Sequence, residues 1–380
     1  MAATLDNVTR CALAALRPPP KLRLSEWAER ELVLPMGMSA LPGQLRLWPY
    51  QRGIADAISD PGIERVTVVK PVRVGYTTLL TAAIAGYIVN DPAPILVLLP
   101  TESDARDYVV SELEPLCAAN PALAARILRD PSPESRRSTI TSRRFPGGSL
   151  KVVAAKSPRN LRRHTARVLL IDEADAMAVT PEGSPILLAE RRTQSFPDRK
   201  IVLGSTPLDA ETSHVLRAYA HSDQRVFEVP CPRCGVFHEL AWRMIEWAEG
   251  RPDTAAFRCP SCQALVPETE KPAMVEAGRW RVTAPEVRGH AGFRLTALVS
   301  LSPHATWAAL ATEFVRAKRD GDELRVFVNT VLSEGWRGAG EELDPGRLAA
   351  AVAPIGLCLL YTSDAADDLH CVDLGGRRII

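Results

Sequence analysis

No apolar run in this chain is long enough to span a bilayer, and the N-terminus has no short hydrophobic core of the kind a secretory signal carries. A reducing, cytosolic compartment is therefore the default expectation. Excess charge of one sign is missing as well. The net charge is +1, so no global field advertises a polyanionic partner, and any nucleic-acid contact must rest on local patches. Internal repeats are absent, and so is a disulfide framework. Of eight cysteines, four stand in two Cys-x-x-Cys pairs, a pattern that belongs to metal rather than to bridges. What remains is ordinary for a globular chain: 380 residues, 46% hydrophobic and 24% charged, enough for one large domain and one or two smaller pieces.

Between about residues 45 and 220 the text alternates. Apolar β-type runs at Arg65–Lys70, Ile95–Pro100, Leu150–Ala155, Val168–Asp172 and Lys200–Gly204 are separated by helical periodicity, notably at Thr77–Val89 and Ser103–Ala119. Continuous Val/Ile/Leu strands divided by helices predict an α/β fold, a mainly parallel sheet with helices on both faces. Ser25–Leu32 reads as a short amphipathic helix with Ser25 as its N-cap, and Ala305–Arg319 as a second.

The usual lysine of a phosphate loop is also missing. Lys70-Pro-Val-Arg-Val-Gly-Tyr-Thr-Thr78 follows an apolar strand and precedes a helix, with Gly75 in the second glycine's place and Thr77 in that of the Mg²⁺-side hydroxyl. Tyr76 occupies the lysine position, so charge must come from Lys70 at the loop's start and Arg73 inside it. About a hundred residues later, Val168-Leu-Leu-Ile-Asp-Glu-Ala-Asp175 is a near-ideal Walker B strand. Asp172 would hold the Mg²⁺ shell there, and Glu173 would polarise the attacking water. The expected ATP-contacting set is Lys70, Val72, Arg73, Val74, Gly75, Tyr76, Thr77 and Thr78. Upstream, Tyr50 could stack on the base and Gln51 read its edge. Ser205 and Thr206, after a later strand, fit a γ-phosphate-sensing coupling element.

Cys231-Pro-Arg-Cys234 and Cys259-Pro-Ser-Cys262 have the two-knuckle form of a structural zinc ribbon, with His238 a nearby decoy rather than a fifth ligand. Basic clusters at Arg136-Arg137, Arg143-Arg144 and Lys156–Arg163 are either solvated loops or a DNA-phosphate track.

In this order, these elements resemble the large terminase subunit of lambda-like tailed bacteriophages, the GpA-type family, from about residue 20 to 357. The displaced lysine in Lys70-x-x-Arg-Val-Gly-Tyr-Thr77 is the most specific element. The resemblance implies a RecA-like P-loop ATPase domain at 41–222, a zinc ribbon at 223–285, and a linker and helix at 286–357 leading toward a truncated RNase H-like nuclease. It implies ATP, Mg²⁺ and structural Zn²⁺ as cofactors. The implied setting is the host cell cytoplasm, with no membrane. There an oligomeric ring at the portal of the procapsid drives double-stranded DNA inward, and the small terminase subunit is met through residues 1–40. Residues 358–380 continue none of the preceding periodicity and resemble translated sequencing adapter. The strand that carries the family's first nuclease aspartate is expected beyond Leu357, so nuclease activity is expected only of a longer gene product. Two other readings fit less well. A repair or restriction helicase would need a second RecA-like domain where the cysteine pairs stand. A zinc-dependent DNA-binding adaptor with an inactive nucleotide fold would not need Asp172-Glu173.

Overall fold

Apolar strands of four to seven residues with helices between them form a central sheet whose core strands are buried on both faces. The computed structural model describes residues 21–38, 42–128, 140–157, 161–162 and 164–337. The expected Arg136-Arg137 cluster, part of the Lys156–Arg163 cluster, most of residues 1–40 upstream of Lys21, and the 358–380 tail lie outside the described residues.

Helices α1 (Leu24–Glu31) and α2 (Pro49–Ser59) precede strand β1 (Arg65–Val69). The helix α3 (Tyr76–Val89) then leads to β2 (Pro94–Leu99) and α4 (Glu102–Tyr108), which continues through a π turn, Val109–Leu113, into Glu114–Ala119. The hairpin β3 (Ser142–Phe145) and β4 (Gly148–Ala154) is followed by β5 (Val168–Ile171), β6 (Lys200–Ser205) and α5 (His214–Ala220). Beyond these lie β7 (Arg225–Pro230), β8 (Phe237–Glu239), β9 (Ile245–Ala248), β10 (Arg251–Arg258), β11 (Leu265–Pro267), β12 (Arg279–Arg281), β13 (His290–Arg294) and helix α6 (Trp307–Ala317).

Ten strands make the main sheet, in the order β8-β7-β13-β1-β6-β5-β2-β4-β3, with β12 also paired to β7. From β7 to β4 every neighbour is parallel, and β8, β12 and β3 are antiparallel edges. The register sets Val66 beside Val202, Leu169 beside Ile201, and Val97 beside Leu170. Helix α3 is buried on nearly all sides, which suits its Leu/Ala/Ile composition without a polar face. Strands β9, β10 and β11 form a separate small sheet, with Cys259 and Cys262 between β10 and β11, while Cys231 and Cys234 lie between β7 and β8 of the main sheet. No helix among the described residues is long and apolar enough to cross a membrane.

All five expected strands form within a residue of their expected ends, except β4, which starts two residues early. Three segments differ from the sequence reading. The sheet runs across both expected domain boundaries: β7 and β12, assigned to the ribbon, and β13, assigned to the linker, are strands of the main sheet. Short strands bounded by charged residues, such as β13 in Gly289-His-Ala-Gly-Phe-Arg294, carry little periodic signal of their own. At α1 the N-cap position is Arg23 rather than Ser25, whose hydroxyl donates instead to Asp56 Oδ1 at 2.5 Å and ties α1 to α2. The second amphipathic helix is α6, shorter than expected and capped by Thr306, whose hydroxyl accepts the Ala309 N–H.

Candidate active site and metal centre

Strand β1 and strand β5 end on the same edge of the sheet, separated by β6 alone. Two strand spacings, about 10 Å, therefore divide the loop after β1 from the carboxylates after β5. Ligands of open parallel sheets collect at this carboxyl edge.

Lys70 crosses the gap. Its ammonium lies 2.5 Å from Glu173 Oε1 and 3.2 Å from Asp172 Oδ1, and its side chain is only 8% exposed. Burial alone would lower the pKa of this ammonium. The Asp172 and Glu173 charges outweigh that penalty and hold it above the ordinary lysine value. Asp172 is equally buried and also accepts the Glu173 backbone N–H, whereas the Glu173 carboxylate is 45% exposed and reachable by water. Glu173 adopts a left-handed backbone (φ 53°), which turns the chain sharply at the strand's end.

Tyr76, in the place of the usual lysine, turns inward. Its ring lies against β6, where a Cβ added at Gly204 would come within 2.3 Å of it, and the Lys70 ammonium sits 5.1 Å from the ring centroid. The bulk at position 76 is therefore accommodated by glycine at 204, while the cation arrives from the loop's first residue.

Gly75 begins α3 at φ 68°, and a Cβ there would stand 2.6 Å from Gln51 Nε2. Gln51 is buried and fully used. Its amide N–H groups donate to the Val74 and Gly75 carbonyls at 3.0 and 3.1 Å, and its Oε1 accepts the Trp48 N–H at the start of α2. Tyr50 is 0% exposed, with its ring against Trp48 and Phe227. Neither side chain stands open to a base in this structure: Gln51 supports the loop, and Tyr50 is packed in the core. The reason lies in α2, whose buried face carries them inward.

Arg73 also has a left-handed backbone (φ 65°), a conformation that costs a non-glycine residue about 1–2 kcal/mol and needs outside support. Val72 is partly exposed and Val74 buried; Thr77 and Thr78 are half-buried in the first turn of α3. Ser205 is fully buried. Its hydroxyl donates to the Thr206 carbonyl and accepts the Asp175 N–H, and its carbonyl accepts the Lys70 N–H. The sequence reading gave Asp175 no role. Its carboxylate accepts the Leu208 N–H at 3.1 Å and the Val215 N–H at 2.9 Å, locking the turn after β5 to the segment after β6. The only signal for it in the sequence is a third carboxylate, two residues beyond Glu173.

The four paired cysteines converge. All their sulfurs lie within 4.8 Å of one another, with Cys231–Cys262 at 3.8 Å and Cys234–Cys259 at 3.7 Å. A tetrahedral ion with metal–sulfur bonds of ~2.3 Å requires sulfur–sulfur edges of about 3.8 Å, whereas a disulfide needs ~2 Å. The donor set thus fits one soft, four-coordinate cation. Each knuckle closes by an N–H at the fourth following residue onto the first cysteine's carbonyl, Gly235 to Cys231 and Gln263 to Cys259. His238 Nε2 lies 3.5 Å from Cys259 Sγ and 3.3 Å from Ser261 Oγ, beside the cluster rather than in its ligand set.

Taken together, the parallel sheet, the strand–loop–helix unit and the carboxylate-tipped strand one place removed define an α/β ATPase-type fold. Within that class, the chain belongs to the phage terminase large subunit gpA family: the family model of the ATPase domain matches residues 39–280, and that of the endonuclease domain matches residues 290–361. It is 28% identical to the terminase large subunit of Enterobacteria phage P21 over 373 residues, covering 90% of this chain and 57% of that one. It is 27% identical to the terminase large subunit of Escherichia phage lambda over 357 residues, covering 87% and 55%. The chain therefore spans a little over half the length of these curated relatives. The crystal structure of the HK97 bacteriophage large terminase superposes with a TM-score of 0.51 at 13% identity, over 82% of this chain and 55% of that one, a likeness of fold.

Proposed function

We propose that this chain is the ATP-hydrolysing motor part of a large terminase subunit, which moves double-stranded viral DNA into a procapsid. The observation that carries this reading is the Lys70 ammonium held against both Asp172 and Glu173 at the carboxyl edge of the sheet. It unites a displaced loop cation and the carboxylate strand in a single site.

In this reading Lys70 and Arg73 supply positive charge to the polyphosphate, and the backbone of Val72–Thr78 wraps it at the start of α3. Thr77 and Asp172 are the residues that would hold Mg²⁺, whose chemistry is to neutralise charge on the phosphates. Glu173, exposed enough to meet water, orients and deprotonates the nucleophile. Gln51 acts beneath the loop through the Val74 and Gly75 carbonyls, and Tyr50 is packed in the core behind it, rather than either on the base. Ser205 and Thr206, tied to Asp175, connect the carboxylate turn to the segment after β6. DNA, the small terminase subunit, the portal, a homo-oligomeric ring and the host cytoplasm complete the proposal. The test is steady-state ATP turnover by the full chain with Mg²⁺, with and without duplex DNA. Mg²⁺-dependent hydrolysis that rises with duplex is expected, and absence of turnover under both conditions would sink the reading.

We assign Zn²⁺ to the cysteine cluster, because four thiolates at tetrahedral spacing suit its coordination, and the β9–β11 sheet has little core of its own. Elemental analysis should find about one zinc per chain. Cys262→Ser should lose it and lower the melting temperature, and full metal retention by that variant would refute the assignment.

A further inference from the structure

The loop after β1 is held from above by a part of the chain more than two hundred residues away. The Val72 N–H donates to the Thr330 carbonyl at 2.8 Å, and the Ser300 hydroxyl donates to the Arg73 carbonyl at 2.5 Å. Arg73 Nη1 donates to the His304 carbonyl at 2.9 Å and lies 3.7 Å from Glu313 Oε2 on α6. All four partners fall in the stretch covered by the endonuclease-domain family model. They hold a left-handed arginine whose backbone needs external support.

Helix α6 is itself firmly set. Trp307 is completely buried, its N–H donates to Glu268 at 2.6 Å, and its indole N–H donates to the Leu298 carbonyl at 3.0 Å. The buried Lys271 donates to the Ala305 carbonyl at 2.8 Å, and Phe314, next to Glu313, packs against Trp242 and Phe327. Glu313 is therefore presented to Arg73 from a rigid element. A guanidinium has five N–H donors in a fixed fork. Among the described residues Nη1 makes the contacts to protein acceptors, which leaves Nε and Nη2 to donate to another ligand.

We propose that Glu313 is a positioning residue for ATP hydrolysis. With the His304 carbonyl it pins the Arg73 guanidinium by one end, so that the other end meets the terminal phosphate in a fixed orientation. The inference rests on the ATPase reading above and extends it: the start of the endonuclease-matching region is structurally part of the nucleotide site. Pre-orienting a charged donor accelerates the chemical step rather than tightening ground-state binding.

The experiment is a double-mutant cycle in the full chain with Glu313→Gln, Glu313→Ala and Arg73→Ala, reading kcat and KM for ATP and the Kd for ADP. Glu313→Gln should lower kcat about tenfold, with the ADP Kd changed by less than about twofold, because ADP lacks the phosphate concerned. In the Arg73→Ala background neither Glu313 variant should slow turnover further. Equal slowing in both backgrounds, or ADP affinity lost in step with kcat, overturns the role of Glu313 while leaving the ATPase reading intact. A wild-type chain without turnover sinks both. Should Glu313→Ala fail to fold, the near-isosteric Glu313→Gln decides.

Discussion

Lys70→Ala is expected to lower ATP turnover by about 10²–10³-fold, the usual effect of removing one preorganised charged donor from a reaction centre. The same substitution should lower the melting temperature. Lys70 and Asp172 are both 8% exposed, so deleting the ammonium leaves a buried carboxylate without its counter-ion. Breaking a buried pair from one side costs about 3–5 kcal/mol. The two effects can be separated. Asp172→Asn added to Lys70→Ala should recover much of the lost thermal stability, since the remaining unpaired carboxylate, Glu173, is 45% exposed, and recover none of the turnover. The alternative assignment, in which Arg73 alone supplies the charge, predicts near-normal kinetics for Lys70→Ala. Steady-state rates and thermal melts on the single and double variants decide between them.

Glu173→Gln should have the second large effect, and of the opposite kind. Glutamine keeps the side chain's shape but cannot accept a proton, so hydrolysis should fall by about 10²–10⁴-fold while ATP is still bound. Stability should change little, because Glu173 is 45% exposed and Asp172 still faces Lys70 at 3.2 Å. The informative comparison is single-turnover cleavage against equilibrium binding of fluorescent ATP. Loss of binding together with cleavage would make Glu173 a structural partner of Lys70 rather than the group that activates water.

The contrast between these variants follows from burial. Asp172 and Lys70 sit where β5 and β1 end inside the layered fold, and Glu173 is one residue further on, past a left-handed turn. The sequence marked Asp172 and Glu173 because a run of four apolar residues ending in two carboxylates has few other uses, and Lys70 because it opens the segment between a strand and Gly75. The same pattern was unable to say that Lys70 would pair with both.

Tyr50 and Gln51 show the limit most clearly. An aromatic and an amide upstream of a phosphate loop suggest base recognition by residue type. Their position on the inward face of α2 packs Tyr50 against Trp48 and Phe227 and lets Gln51 give its amide to the Val74 and Gly75 carbonyls. Ser25 is a parallel case, a plausible cap by local rules that instead bonds Asp56 across a helix pair. In both cases a polar side chain finds its partner on another element of the chain. The strand β13 escaped for a related reason: five residues with a glycine in the middle have no periodic signature, and only pairing with β1 and β7 makes them a strand.

Local sequence by itself determined the alternation of strands and helices, the carboxylate pair, the odd loop with its lysine moved to position 70, and the two cysteine knuckles. Each of these is written in contiguous residues, through hydrophobic period, turn chemistry or ligand spacing. The tertiary structure alone decided that β6 would separate the loop from the carboxylates, that Gly204 would make room for Tyr76, and that residues 300–330 would close over Arg73. Those are contacts between segments from about thirty to more than two hundred residues apart, and a single sequence does not state which distant surfaces bury one another.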